Sequence, residues 1–168
     1  MKNFIITAVG TDRPGIVSEM SAAINSHGGN VEESRMSKLG SDFAIMMLIT
    51  VAEGWEKSLE VSLNSVDDIS ISIKQTQDHS RSKSKRYKIY LNGADNEGIV
   101  NILSKYLAEK LINISEMETN ISSAPMSGTP LFNLNANVSI PKEVQENSVR
   151  NDLSIIAKKL GIEISLEI

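Results

Sequence analysis

The chain contains no cysteine, so disulfides, thiolate nucleophiles and thiolate metal sites are all excluded. It has two histidines, His27 and His79, which lie far apart in sequence and leave a nucleophilic triad without a base and a transition-metal site without ligands. Aromatic residues make up only 4% of the chain, too few for the stacking platform of a single-strand nucleic-acid binder. No apolar run approaches the roughly 18 residues needed to span a bilayer. The amino terminus, Met1-Lys2-Asn3 followed by Phe4-Ile5-Ile6, is too short for a secretory core and has no small-residue cleavage pattern. A cytoplasmic setting is expected, and the sequons at Asn113 and Asn120 carry no weight there. Positive charge is also in deficit: the net charge is −4, whereas phosphate neutralisation needs a basic surface.

What is present is a balanced globular composition, 40% hydrophobic and 23% charged, repeated within itself. Gly10-Thr11-Asp12-Arg13-Pro14-Gly15-Ile16-Val17 recurs as Gly93-Ala94-Asp95-Asn96-Glu97-Gly98-Ile99-Val100, an offset of 83 (Gly15 to Gly98). The same offset pairs Ile6 with Ile89, Ser21 with Ser104, Asn30 with Asn113 and Glu33 with Glu116. A single register held over so many positions marks two copies of one unit.

Each copy reads as strand, helix, two strands, helix, strand. In the first, Asn3–Val9 is an apolar strand closed by Gly10, and Ile16, Met20, Ala23 and Ile24 fall at helical spacing. His27-Gly28-Gly29-Asn30 stops that helix. A hairpin is expected around Gly40-Ser41, then an amphipathic helix through Trp55, Leu59, Leu63 and Val66, and an alternating strand Ile69–Ile73. The second copy repeats the order, from Tyr87–Leu91 to the alternating Ile162–Ile168. The closing strands are offset by 93 (Ile69 to Ile162), so copy two carries about ten extra residues, placed in the loop holding Pro125, Gly128 and Pro130 and its neighbours. The expected fold class is α+β: two ferredoxin-like βαββαβ units, each an antiparallel four-stranded sheet with two helices on one face. Residues 1–77 form the first domain, 78–86 a serine-rich polar linker and 87–168 the second domain.

The chemistry is expected where the first strand of each copy meets its first helix. A helix amino terminus presents unpaired N–H groups and a partial positive charge, suited to a carboxylate. Gly15 and Gly98 would allow close approach; Asp12 and Asp95 would cap the helix or accept a bond from a ligand ammonium group. Asn30 and Asn113 fall at the far end of that helix, so each need not meet its own aspartate loop; a site shared between copies would bring them together. Asp–Gly turns and helix-ending asparagines also arise for purely structural reasons, and both readings stay open on the residues alone.

Asp12-Arg13-Pro14-Gly15-Ile16-Val17, followed by a Gly-Gly-Asn-Val turn, resembles an ACT domain, as does the second copy with Asn113-Ile114 before Glu116-Met117-Glu118-Thr119. The pair spans essentially the whole chain and, with the Pro130-Leu131-Phe132 strand entry, resembles the glycine cleavage system transcriptional repressor family. That resemblance implies a regulator without catalytic residues, cofactor or metal, sensing a small amino acid, with glycine the first candidate. Its output would pass through a protein partner such as a transcription activator, without direct nucleic-acid or membrane contact, and homo-oligomers are expected. Carried over by position, the implied ligand contacts are Asp12, Arg13, Pro14, Gly15, Ile16, Asn30 and Val31, with Asp95, Gly98, Ile99, Asn113 and Ile114 in copy two. Copy two departs where Asn96-Glu97 replaces Arg13-Pro14; Glu97 opposes a ligand carboxylate, so the copies are expected to bind differently or one to be structural.

The contrary readings are specific. An enzyme is not expected, since the two copies leave no room for a catalytic domain. Arg81, Lys83, Lys85 and Arg86 form a basic cluster, read as linker solvation in the absence of a helix-turn-helix pattern. Trp55 and Met20, Met36, Met46 and Met47 are read as core. The alternative function is an interaction or oligomerisation module whose loops take no small molecule.

Overall fold

A computed structural model describes residues 1–77, 85–124 and 128–168. Two compact units divide at Ser80/Arg81. The expected linker residues 78–84, His79 among them, and Pro125 lie outside the described residues; Lys85 and Arg86 of the basic cluster open a strand.

The first unit runs β1 (Lys2–Thr11), α1 (Ile16–Ser26), β2 (Gly29–Leu39), β3 (Asp42–Val51), α2 (Glu56–Asn64) and β4 (Ile69–Thr76). The second repeats the order as β5 (Lys85–Ala94), α3 (Ile99–Glu109), β6 (Asn113–Ser123), β7 (Pro130–Ile140), α4 (Glu146–Leu160) and β8 (Ile162–Glu167). Both sheets are antiparallel and four-stranded, ordered β2-β3-β1-β4 and β6-β7-β5-β8. Each is the βαββαβ arrangement that the duplicated pattern demands.

Helix and strand periods meet in one core per unit. Helix α1 buries Ile16, Met20 and Ile24, one turn apart, and α3 buries Ile99, Leu103 and Leu107 at the same positions. They cover the alternate residues Phe4, Ile6 and Ala8 of β1 and Tyr87, Ile89 and Leu91 of β5. Side chains such as Ile6 and Leu107, fully removed from water, each contribute about 1.5–3 kcal/mol. No polar or charged residue is buried among those described.

The extra residues of the second copy have definite places. Two residues, Gly40 and Ser41, join β2 to β3 between the paired Leu39 and Asp42, whereas eight separate the paired Ser122 and Leu131. Most of the rest are the net of a longer α4, 15 residues against nine in α2, and a shorter turn after it, Gly161 alone against residues 65–68. Trp55 is not core: it stands at the N-cap of α2, 46% exposed, with its ring edge against His27 at 5.7 Å. Met46 likewise points away from the helices at 49% exposure, while Met20 and Met47 are buried.

The two faces of each sheet differ, because alternate residues point opposite ways. On the face away from the helices, unit one presents Ile5, Thr7 and Val9 on β1 beside Leu48, Met46 and Ala44 on β3. The equivalent positions of unit two hold Lys88, Tyr90 and Asn92 beside Asn137, Asn135 and Asn133.

Candidate functional site

In both copies the turn from first strand to first helix is built on two glycines with different jobs. Gly10 pairs with Ile69 of β4, and a Cβ there would fall on the Asp68 carbonyl oxygen and 2.8 Å from the Ile69 Cα. Gly93 meets Ile162 in the same way, its added Cβ 2.9 Å from the Ile162 Cα. These two residues let the central strand press against its neighbour. Gly15 and Gly98 are the helix N-caps, with φ of 99° and 81°, a conformation open to glycine at little cost. Beyond Gly98 lies open space, and beyond Gly15 only the ends of Glu19 and Arg13.

Neither α1 nor α3 has a side-chain cap, so Asp12 and Asp95 do not serve that role. The first-turn N–H groups of both helices therefore face outward with the positive end of the helix dipole. Asp12 is exposed; its Oδ2 receives the Lys38 Nζ at 2.8 Å, and its N–H bonds the Ser41 carbonyl, tying the loop to the β2–β3 hairpin. Asp95 and Glu97 are exposed beside the second helix amino terminus.

Arg13 turns inward along the helix. Its guanidinium holds Glu19 in a bidentate pair, both contacts at 2.7 Å, and donates to the Asp67 carbonyl at 3.2 Å. That pairing holds the Glu19 carboxyl below the usual range. In copy two, Asn96 donates to the Leu160 carbonyl at 3.1 Å. Asp67 and Leu160 each stand two residues before the closing strand, so Arg13 and Asn96 make the same tie with different side chains.

The remaining residues singled out in the sequence divide by burial. Ile16 and Ile99 are 2% exposed and belong to the cores, which leaves only their backbone at the helix end. Val31 and Ile114 pack on those cores from β2 and β6, next to a bulge in each strand. Pro14 is exposed in the turn. Asn30 is exposed and donates to Glu32, which also accepts from Thr50; the two bonds hold the Glu32 carboxyl below its ordinary value. Asn113 is exposed at the matching place.

The register separates these groups within a unit. Asn30 pairs with Thr50, while the aspartate loop adjoins Asp42, eight residues along β3 and about 27 Å away at about 3.4 Å per residue. One small amino acid cannot touch Asn30 and Asp12 of the same unit. The same holds for Asn113, opposite Ser139, and the Asp95 loop beyond the Ala94–Leu131 pair. The structure thus brings together Asp12, Arg13, Pro14, Gly15 and the Ile16 backbone, and separately Asn30 with Val31.

Sequence reasoning missed the cavities. Two depressions, of about 240 and 600 Å³, lie on the open face of the second sheet and share Tyr90 and Asn135 as lining residues. The signal was the alternation Lys88-x-Tyr90-x-Asn92 and Asn133-x-Asn135-x-Asn137, polar on the half of each strand that leaves the core. Among the described residues no group of three or more histidines or carboxylates is placed to hold a metal, and no helix is long and apolar enough to cross a membrane.

The family model for the ACT domain matches residues 2–69, which include the whole aspartate loop of unit one. Over 46 residues, 27% of the chain, the sequence is 46% identical to the glycine cleavage system transcriptional repressor of Escherichia coli; that stretch spans 24% of the repressor's own length. Among solved structures, a protein of Galdieria sulphuraria is 34% identical with a TM-score of 0.88, covering 99% of this chain and 97% of that one. A candidate glycine cleavage system transcriptional repressor shares the fold over 99% of this chain and 96% of its own, with a TM-score of 0.67 at 22% identity. The chain belongs to one family with the Galdieria protein; its first unit matches the ACT domain, its second repeats the same βαββαβ fold, and over part of its length it is similar to the glycine cleavage system transcriptional repressors.

Proposed function

We propose that the chain is a cytoplasmic, amino-acid-sensing regulator of glycine cleavage or related amino-acid metabolism, acting through a protein partner and not as an enzyme. The observation that carries this reading is the uncapped α1 amino terminus at Gly15, inside the ACT match and open to solvent. Its N–H groups suit the carboxylate of an amino acid, and the second Asp12 oxygen suits the ammonium group. Arg13, already held by Glu19 and the Asp67 carbonyl, shapes the loop and leaves the carboxylate to the backbone. Unit one is the better anion site, because its two nearby carboxylates, Asp12 and Glu19, are paired with Lys38 and Arg13, whereas among the described residues Asp95 and Glu97 beside the α3 terminus have no paired cation. Asn30 and Asn113 join a ligand only where another copy or unit supplies the aspartate loop.

Thermal unfolding of the full chain with glycine, serine and the other small amino acids tests this reading. A specific ligand at a hundredfold excess over its Kd raises stability by about 2.7 kcal/mol, and Asp12→Ala should abolish that shift. A flat response across the panel at millimolar concentrations would sink amino-acid sensing.

The open face of unit one favours a second reading, an interaction module without a ligand. Val9 and Met46 are 53% and 49% exposed there, beside the half-buried Ile5 and Leu48, and apolar faces of this kind mark protein contacts. Replacing Met46 and Leu48 by the asparagines found in unit two should then abolish partner binding or self-association while the amino-acid response, if any, is kept.

A further inference from the structure

We infer that the open face of the second sheet is a binding site for a neutral, hydroxyl-rich ring, a monosaccharide unit, seated on Tyr90 and Asn135. Three cross-strand rows make up the face. The first is Glu116–Asn137–Lys88–Glu167 and the third Asn120–Asn133–Asn92–Glu163. Both are fastened internally. Asn137 donates to Glu116; Asn92 donates to Asn133, which in turn donates to Asn120 and Ser122 at 3.0 and 2.9 Å.

The middle row, Glu118–Asn135–Tyr90–Ser165, is different. Among the described residues these four side chains make no hydrogen bond or ion pair with one another or with their neighbours. Tyr90 is 37% exposed, and it and Asn135 line both depressions. A row of polar groups without partners in the protein, flanked by rows whose amides are engaged, can turn toward a ligand without first breaking an intramolecular bond. The larger depression, 600 Å³, falls within the range of about 300–1,000 Å³ common to small-molecule clefts.

The chemistry of the row selects the ligand. Four carboxylates, Glu116, Glu118, Glu163 and Glu167, stand on this face against two cations, Lys88 and Arg86, a net negative balance that disfavours phosphates, carboxylates and nucleic acid. The free groups are mixed: Asn135 offers both donor and acceptor, the Tyr90 and Ser165 hydroxyls do both, and Glu118 accepts. A guanidinium or ammonium ion only donates and would leave the Asn135 amide hydrogens facing other donors. Hydroxyls both donate and accept, and the C–H face of a sugar ring packs on an aromatic face such as that of Tyr90. The site lies in the unit without the better helix-end anion site, so its occupancy is read separately from amino-acid binding at α1.

The test is a two-dimensional amide NMR titration of the full chain with methyl glucoside, methyl galactoside and ribose, with arginine amide and inorganic phosphate as controls. One of the neutral sugars should shift the amides of β5 and β7 saturably, leave those of unit one unmoved, and compete with neither glycine nor serine. Tyr90→Ala and Asn135→Ala each remove an exposed side chain and should weaken the binding by about tenfold, with the unit-one spectrum as the check on folding. No saturable shift with any sugar, an unchanged response in Tyr90→Ala, or stronger shifts from arginine amide than from every sugar would each overturn the assignment.

Discussion

The two halves of the chain share a backbone and differ in the side chains that satisfy it. The turn after the first helix needs a left-handed residue in both: unit one uses Gly28 (φ 65°), unit two uses Leu111 (φ 57°). The turn before the last strand needs another, and the choice reverses, with Asp68 (φ 59°) in unit one and Gly161 (φ 65°) in unit two. The first loop is tied to that turn by Arg13 in one copy and by Asn96 in the other. The glutamate opening the second helix, Glu56 or Glu146, is anchored by Lys2 in the first unit and by Tyr87 and Arg150 in the second. Requirements set by the fold persist while the residues meeting them exchange. The open faces of the sheets carry no such requirement, and on their two central strands the copies have diverged, largely apolar in one and amide-rich in the other, while Glu33 and Ser72 on the flanking strands keep their counterparts Glu116 and Ser165. Surface freed from folding constraint is where two copies can acquire separate tasks.

The largest effect should come where the copies are most alike. Gly10→Ala drives a Cβ into the backbone of β4, at the Asp68 carbonyl and the Ile69 Cα, and neither can move without shifting the strand. We expect a loss of about 3 kcal/mol or more from unit one. Gly93→Ala meets the Ile162 Cγ2 methyl, which can rotate away, and the Cβ and Cα at 2.6 and 2.9 Å, which cannot; with no carbonyl oxygen in the way it should cost about 2 kcal/mol in unit two. Trp55 is the chain's one tryptophan and sits in unit one, so its fluorescence in denaturant reads that unit, while amide exchange reads both. Equal losses from the two substitutions would mean that the closer backbone approach at Gly10 has no energetic weight.

These glycines also show how far the sequence could be read. The βαββαβ order, the hairpin at Gly40-Ser41 and the buried stripes at Ile16–Met20–Ile24 and Ile99–Leu103–Leu107 were legible, because they repeat at periods fixed by helix and strand geometry. The duplicated Gly10 and Gly93 were visible as a repeat, but their reason was not, since it lies in a strand some sixty residues away. The roles within the loop were legible only as types. Nothing local indicates that Arg13 would be spent on Glu19 and Asp67, or that Asp12 would meet Lys38 across the hairpin. Trp55 misleads for a related reason: a large apolar residue at a helix start reads as core, yet the helix begins with it outside the buried face of Leu59 and Leu63.

A smaller effect of opposite sign should follow from the left-handed positions. Leu111 is 80% exposed, so its side chain gains little from burial while its backbone carries a conformation costly to branched residues. Leu111→Gly should stabilise unit two by about 1 kcal/mol, the relief of the left-handed strain less the added entropy of the unfolded chain. Asp68→Gly should change unit one by less than about 0.5 kcal/mol, because aspartate tolerates this region through local hydrogen bonding. Chemical denaturation with amide exchange distinguishes the two. A destabilised Leu111→Gly would show that the leucine is held by contacts its exposure conceals.

The smallest effect separates the copies by pH. Glu56 is held at a pKa of about 2, chiefly by its hydrogen bond from Lys2, against an ordinary 4.5. A carboxyl with a depressed folded pKa contributes stability fully present above the unfolded value and lost as pH falls through the folded one. Unit one should therefore lose stability between about pH 4.5 and pH 2 in a manner that Glu56→Gln removes. Glu146 is also depressed, first by the Tyr87 hydroxyl and then by Arg150, so Glu146→Gln should flatten the acid limb of unit two alone. Both glutamates are anchored near the surface, where ion pairs and hydrogen bonds are worth little, so the changes will be modest in melts taken across the acid range. Their value lies in the assignment. If Glu56→Gln flattened the acid limb of amide exchange in both units equally, the copies would unfold together, and the independent stabilities assumed for Gly10→Ala and Leu111→Gly would have to be replaced by one cooperative transition.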